Sequence, residues 1–470
     1  MLLFCLYTAE CALLLVGLGL FRAAAKPSLL DFLHSTGGLV TIGAAMIGCA
    51  AWVLVYRGVQ RADPKRRRLH VVTVGLNLFT LVLVGGAAEV MIRALSIETP
   101  EGPRFGNVLL FPRRWEEVVS RHRAVIDKMA EGGAYVVYDP DLGWTLAPHH
   151  QDASGLYATS AEGARSPEVR WVFGDPGTRL TGRVDEPVRL RVALVGDSMT
   201  FGSEVPCRDS WPHLLQARMG AQVQIMNFGV PGYSAAQAWQ RYQRDVRSWR
   251  PDVVIMGVTS RQLLRLMNVY NFLISPLGTQ FPFARPRMVW QDGRLTVLNR
   301  PVPSPQEIFG HARLSDLPFL EQDRSYARLE WERSGLWSWL QRSYLFRWMT
   351  SIRPPVEPVR AGLGDAVLEE LTENVLSAFV RDVRQDGAIP LVVHLPYQGE
   401  LRASAGAESV IPLGLRLLKQ TGLEVLDATP CLIRARAFDA YAPGDHYLRA
   451  ANEAVADCVA GVLPRLDPSR

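Results

Sequence analysis

The sequence predicts an α/β protein, with three N-terminal transmembrane helices followed by a three-layer domain built on a parallel sheet. Three observations carry this expectation. Apolar residues (AVILMFWYC) make up 48% of the 470 positions, and they crowd into the first hundred. After Val188, short apolar runs alternate with longer polar-faced stretches, the rhythm of strand and helix in a sheet covered on both faces. Polar, glycine-containing segments follow several of those runs, where a parallel sheet presents its chemistry.

The membrane elements come first. The segments Leu2–Phe21, Ser35–Tyr56 and Val71–Ala88 each approach the about 17–25 residues that a helix needs to cross a bilayer. The second carries no charge, and the first carries Glu10 near its middle, which is costly in lipid unless it faces a partner helix or water. The first segment lacks a basic start and a convincing cleavage site, so it is expected to be retained rather than removed as a signal peptide. Between the second and third spans lies "YRGVQRADPKRRRLH", with Arg57, Arg61, Lys65, Arg66, Arg67 and Arg68. A short loop this basic stays in the cytoplasm. Everything after about Arg93 is then periplasmic or extracellular, in a multi-pass protein of a bacterial inner or plasma membrane. Placed between two spans, the basic run reads as a topology signal and not as a nucleic-acid patch. The net charge of +5 owes much to it.

The six cysteines form no disulfide framework and no zinc spacing. A single Cys431–Cys458 bridge is compatible with an oxidising compartment. His149 and His150 are adjacent, so their side chains do not easily face one metal. No metal or organic cofactor is implied.

Residues 96–189 read as an irregular, β-containing lead-in between an anchor at 1–95 and the α/β domain at 190–470. Its stretch "YDPDLGWTLAPHH" is dense in turn signals. In the domain, "RVALV" (191–195), "VQIMN" (223–227), "DVVIMGV" (252–258), "LVVHL" (391–395) and "EVLD" (424–427) read as strands. Helices are expected through about Met219, over 234–250, around 366–385 and 412–421, and near 448–463. The region at about 262–365 breaks this rhythm and reads as an insertion rich in Pro, Arg and aromatic residues.

Ligands bind outside the carboxyl ends of parallel strands. Ser198 follows the first strand, "NFGVPGYS" the second and "GVTSRQ" the third, while His446 precedes the last helix. A serine, a glycine loop and a histidine thus meet at one edge, which favours a nucleophile over an ordinary turn. His394, in "VVHLP", reads as a satisfied histidine lining the same edge.

These segments resemble the blocks of the SGNH (GDSL-type) hydrolase superfamily. "VGDSMTFG" resembles its first block, with Ser198 as nucleophile; "NFGVPGYS" its second, with Gly232; and "GDHYLRAAN" the block of its catalytic histidine, His446. The resemblance covers about residues 190–465 and implies a flavodoxin-like three-layer fold. The layout and the lead-in "YDPDLGW" resemble bacterial membrane-anchored members. Two positions depart from the pattern. Where the third block, G-x-N-D, has its oxyanion asparagine, this chain has Thr259, with Gln262 and Asn268 as alternatives. Where D-x-x-H has its acid, it has Pro443; Asp445 is the first candidate, ahead of Asp439 or a Ser–His dyad.

The expected chemistry is acyl transfer from an ester: His446 as base for Ser198, Asp445 as its orienting acid, and an oxyanion hole from Ser198, Gly232 and Thr259. Asp197 is expected to hold the turn rather than react, and Arg261 and Arg265 to bind anionic or sugar substrates or to face solvent. The function implied is a serine esterase acting on O-acyl, chiefly acetyl, esters of an acylated carbohydrate such as an envelope glycan, or of a small ester. The alternatives are a polysaccharide O-acyltransferase at the same site, a non-catalytic glycan-binding module, and a lipid-directed esterase at the membrane surface.

Overall fold

A computed structural model describes residues 46–466 with the exception of 48–49, 51, 55, 62, 100–101, 131–133, 170–172, 174–179, 182–183, 275–280, 332–335, 353–361 and 407–409. The chain divides into two compact units, Met1–Arg121 with Tyr326–Val359, and His122–Ser325 with Arg360–Arg470.

In the first unit the main element is helix α1 (Pro64–Leu95). Asp63 caps it, its side chain accepting the Lys65 N–H at 2.7 Å, and Pro64 occupies the first helical position. Among the described residues α1 alone is long and apolar enough to cross a membrane, and it contains the expected span Val71–Ala88. Its apolar side chains are uncovered: Leu76, Phe79 and Val82 are 61%, 64% and 67% exposed. Of the other two expected spans, Leu2–Phe21 lies outside the described residues, and of Ser35–Tyr56 only 46–47, 50, 52–54 and 56 are described. Glu89, near the end of α1, accepts the N–H groups of Tyr344 at 3.0 Å and Leu345 at 2.8 Å and the Ser343 hydroxyl at 2.7 Å. A carboxylate there satisfies the open N–H groups of the helix Tyr344–Ile352.

The second unit is the α/β domain. Two short strands from the lead-in, β1 (Ala158–Thr159) and β2 (Arg165–Ser166), precede the regular elements. Strand β3 (Leu190–Val195) runs into a short helix α2 (Ser198–Phe201), followed by α3 (Trp211–Met219), β4 (Val223–Asn227) and α4 (Ala235–Arg241). Strand β5 (Val253–Val258) leads into α5 (Ser260–Leu264). Beyond the insertion come α6 (Asp365–Gln385), β6 (Ile389–His394), α7 (Gln398–Ala405), α8 (Leu413–Gln420), β7 (Val425–Asp427) and α9 (Arg449–Ala460).

The sheet order is β7-β6-β5-β3-β4-β2-β1. Strands β3 to β7 pair in parallel, and β2 and β1 join antiparallel beyond β4. The period-two alternation of a strand sends Ala193, Val195, Met226, Val254 and Met256 to one face. Leu190, Val192, Leu194, Ile225 and Ile255 face the other way. Apolar residues of α4, α6 and α8 pack on the first face; those of α3, α7 and α9 pack on the second. Each fully buried aliphatic side chain contributes about 1.5–3 kcal/mol, so these two layers make the edge of the sheet a rigid base. The crossovers change direction at β3, with β4 on one side and β5 on the other. That switch point is where a parallel sheet opens a crevice.

Candidate active site

The turn after β3 is built to expose a serine. Gly196 has φ 157°, and a Cβ there would lie 2.8 Å from the Gly257 carbonyl oxygen and run into Thr200. Only glycine fits. Asp197 then caps α2, its Oδ1 accepting the Met199 N–H at 3.0 Å, and Ser198 becomes the first helical residue. The Asp197 carboxylate is fully buried, and its Oδ2 accepts the Thr259 hydroxyl at 2.9 Å and Arg265 Nη1 at 3.2 Å. A buried charge needs such partners, and here they fix the peptide that carries the serine.

His446 meets Ser198 from the opposite end of the chain. Its Nε2 lies 2.8 Å from Ser198 Oγ, and its Nδ1 lies 2.5 Å from Glu204 Oε2. A carboxylate at Nδ1 selects the tautomer with the proton on Nδ1, which leaves Nε2 free to accept from the serine. Ser198 is buried, whereas the His446 and Glu204 side chains are partly open, at 20% and 33% exposed. A tight turn presents the imidazole, with the Ala442 N–H donating to the His446 carbonyl and the Asp445 N–H to the Ala442 carbonyl, each at 2.8 Å.

Two sequence expectations are corrected here. Asp445 does not reach the imidazole. It adopts φ 70°, which turns its carboxylate towards α7, where it accepts the Gln398 N–H at 3.0 Å and Arg261 Nη2 at 2.9 Å. Adjacent residues in a turn point apart, and the αL backbone completes that divergence. Asp439 pairs with Arg402 at 2.6 Å. The carboxylate beside His446 is Glu204, which lies six residues after the serine and which sequence reasoning missed. Its signal was an acid in the short loop "GSEVP", at the same sheet edge as Ser198. Glu204 is itself in αL at φ 64°, and non-glycine residues held there cluster at functional sites. Its N–H donates to the Tyr157 hydroxyl at 2.9 Å, and its Oε1 accepts the Gly444 N–H at 3.2 Å.

The second correction concerns Thr259. Its hydroxyl donates to Asp197 and accepts from the Gln262 N–H at 3.1 Å and the Tyr397 hydroxyl at 3.3 Å, so it has no hydrogen left for an oxyanion. The Thr259 N–H donates to Gln262 Oε1, completing the capping box of α5. Asn268 is likewise engaged, donating to Asp323 at 2.7 Å and Ser325 at 2.8 Å. Among the described residues the N–H groups of Ser198 and Gly232 donate to no acceptor in the protein, which leaves both free for a ligand.

The Gly232 loop follows β4 and is braced from behind by the lead-in. Trp144, in "YDPDLGW", is fully buried; its Nε1 donates to the Pro231 carbonyl at 3.0 Å, and its own carbonyl accepts the Tyr233 hydroxyl at 2.6 Å. Arg285 lies over the Trp144 ring and donates to the Gly232 carbonyl at 3.4 Å and to Asn271 at 2.7 Å. Tyr157, which holds Glu204, is also from the lead-in; burial pushes its phenol pKa up, which keeps the hydroxyl neutral. His394 stands apart from the site, with its Nδ1 3.0 Å from Asp427 Oδ1 and its side chain fully buried. No group of three or more metal-ligating side chains is found among the described residues.

The arrangement can therefore remove a proton from a hydroxyl, hold the resulting imidazolium against a carboxylate, and offer N–H donors to a nearby anion. No protein-family model and no curated protein matches the sequence. The chain is similar to solved structures, three of which align over 58–59% of it. A lipase/acylhydrolase from Enterococcus faecalis is 12% identical, with 59% of this chain and 96% of that one covered, at a TM-score of 0.30. A member of the lipolytic protein G-D-S-L family from Veillonella parvula DSM 2008 is 12% identical, with 58% and 98% covered, at a TM-score of 0.29. The acetylxylan esterase Axe2 from Geobacillus stearothermophilus is 13% identical, with 59% and 94% covered, at a TM-score of 0.30.

Proposed function

We propose that this protein is an SGNH-type serine ester hydrolase, held in a bacterial membrane through α1, that removes small O-acyl groups, chiefly acetyl, from an envelope glycan. The observation that carries the reading is the chain of contacts Ser198–His446–Glu204, at 2.8 and 2.5 Å. In the first step Nε2 of His446 takes the Ser198 proton as Oγ bonds to the ester carbonyl carbon. The carbonyl electron pair moves to oxygen, where the N–H groups of Ser198 and Gly232 receive it. The imidazolium, steadied by Glu204, returns its proton to the departing sugar oxygen and leaves an acyl-serine. Water then gives a proton to His446 as its oxygen bonds to the acyl carbon; the bond from that carbon to Oγ breaks, His446 returns the proton to Ser198 Oγ, and the acid leaves.

The extracytoplasmic placement is supported by the six basic residues before and at the start of α1 and by the Cys431–Cys458 disulfide, with its Cα atoms 5.9 Å apart. The glycan target rests on that placement and on the resemblance to anchored SGNH members. Alkaline phosphatase fused after Arg93 is expected to be active and a fusion at Pro64 inactive; the reverse pattern refutes the placement.

The decisive chemical test is a fluorophosphonate probe together with turnover of a small aryl acetate. Wild-type protein should label and turn over, while Ser198→Ala and His446→Ala should lose about 10⁴-fold or more in kcat with their folding intact. Undiminished labelling in Ser198→Ala moves the nucleophile elsewhere.

A further inference from the structure

Thr259 and Asn268 are committed, and Gln262 holds the α5 capping box through Oε1 while its Nε2 is buried without a partner; the end of β5 sends a second, cationic group back to the serine loop. Arg265, at the end of α5, donates from Nη1 to Asp197 Oδ2 at 3.2 Å and to the Tyr233 carbonyl at 3.3 Å. Asp197 is the residue before Ser198, and Tyr233 is the residue after Gly232. The guanidinium thus bridges the two backbone segments that carry the Ser198 and Gly232 N–H groups. Its side chain is 16% exposed, and its Nε and Nη2 are neither buried nor bonded to any described residue. A guanidinium has five N–H donors in a rigid fork, so holding Nη1 in place orients the others.

We infer that Arg265 is the third oxyanion donor of this site, a cationic N–H in place of the asparagine side chain that Thr259 cannot supply. The inference rests on the serine-hydrolase reading and adds to it a further catalytic residue. As Ser198 Oγ bonds to the carbonyl carbon and the electron pair moves onto oxygen, a free N–H of Arg265 donates a hydrogen bond to that oxygen, with no proton transferred. A full positive charge offsets the shorter list of neutral donors, because a charge-assisted hydrogen bond is roughly twice as strong as a neutral one. Asp197 does not cancel it fully, since that carboxylate is shared with Met199 and Thr259. A second cation reinforces the field: Arg285 binds the Gly232 carbonyl from behind, and burial followed by the Arg265 charge pushes its own pKa down.

Three variants separate this role from a structural one. Arg265→Met should lower kcat for an aryl acetate by about 10²–10³-fold, with KM within about threefold. It should weaken a trifluoromethyl ketone, whose serine adduct carries the oxyanion, by a similar factor. Arg265→Lys should recover part of both losses. The double variant Asp197→Asn/Arg265→Met removes the buried carboxylate that a single change leaves without its ion pair. It should fold like the wild type and stay as slow as Arg265→Met. Recovery of activity in the double variant means that Arg265 only neutralises Asp197, and it overturns the inference. So does Arg265→Met with kcat within threefold of wild type, or a loss of kcat without parallel loss of ketone affinity. Wild-type protein that neither turns over the ester nor binds the ketone overturns the hydrolase reading, and this inference with it.

Discussion

Two histidines at the carboxyl edge of this sheet each hold a carboxylate, and only one of them faces a nucleophile. His446 has Glu204 on Nδ1 and Ser198 on Nε2, and its side chain is partly exposed. His394 has Asp427 on Nδ1 at 3.0 Å, but its Nε2 is buried with no partner. The second pair follows from the register, because His394 and Asp427 stand opposite each other on β6 and β7. Asp427 is further bound by the Thr429 N–H at 3.0 Å and the Thr429 hydroxyl at 2.6 Å. The carboxylate–imidazole pair is thus a common structural unit. What sets the His446 pair apart is a hydroxyl on the far nitrogen and partial exposure, and both come from turns rather than strands.

The largest effect that can break this comparison is at the acid. Glu204→Gln should lower kcat by about 10³–10⁴-fold, because the amide offers its N–H where a carboxylate must accept. Asp445→Asn should stay within about tenfold, since it loses only the clamp to Arg261 and Gln398. Equal losses in the two variants would restore Asp445 as the acid.

A smaller effect is expected at the sealed pair. His394→Leu should leave turnover within about twofold while lowering stability to urea by about 1–3 kcal/mol, the cost of stranding a buried partner. A loss of activity without a loss of stability would make His394 part of the chemistry.

The smallest effect is a pH dependence. Burial raises the Asp427 pKa, yet the hydrogen bonds from His394 and Thr429 outweigh it and hold the carboxyl below its usual value of 3.8. A lowered folded pKa means stability that is present above the unfolded value and is lost as pH falls through the folded one. The stability gap between wild type and Asp427→Asn, about 1 kcal/mol at pH 6, should therefore close below the folded pKa. A gap that persists in acid would show that the hydrogen bonds do not depend on the carboxylate charge.

The parallel strands were legible because they are apolar runs bounded by turn residues. The run 223–227 is β4, and 252–258 contains β5. The pairs Ala158–Thr159 and Arg165–Ser166 were not, because two residues carry no periodicity. The expected helix over 234–250 holds its α form only to Arg241, then widens to a π turn over Tyr242–Val246. In the site, Ser198, Gly232 and His446 stood out through position and resemblance. Glu204 and Arg265 did not, since a loop acid and a helix arginine are ordinary on any surface. Their alignment depends on a backbone angle of 64° in one case and on a turn of α5 in the other. Thr259 shows the reverse: a residue at the right place in a motif, whose hydroxyl is spent in a capping box.

The space beside Glu204 leaves a mark in the sequence itself. A Cβ at Gly444 would collide with the Glu204 carboxylate, 2.8 Å from its Cδ. An acid placed in the serine loop thus sets a steric condition on a residue 240 positions away. A side chain at 444 would push the Glu204 carboxylate aside, and a displaced carboxylate leaves Nδ1. Glycine two places before the histidine is the mark of the space that Glu204 occupies.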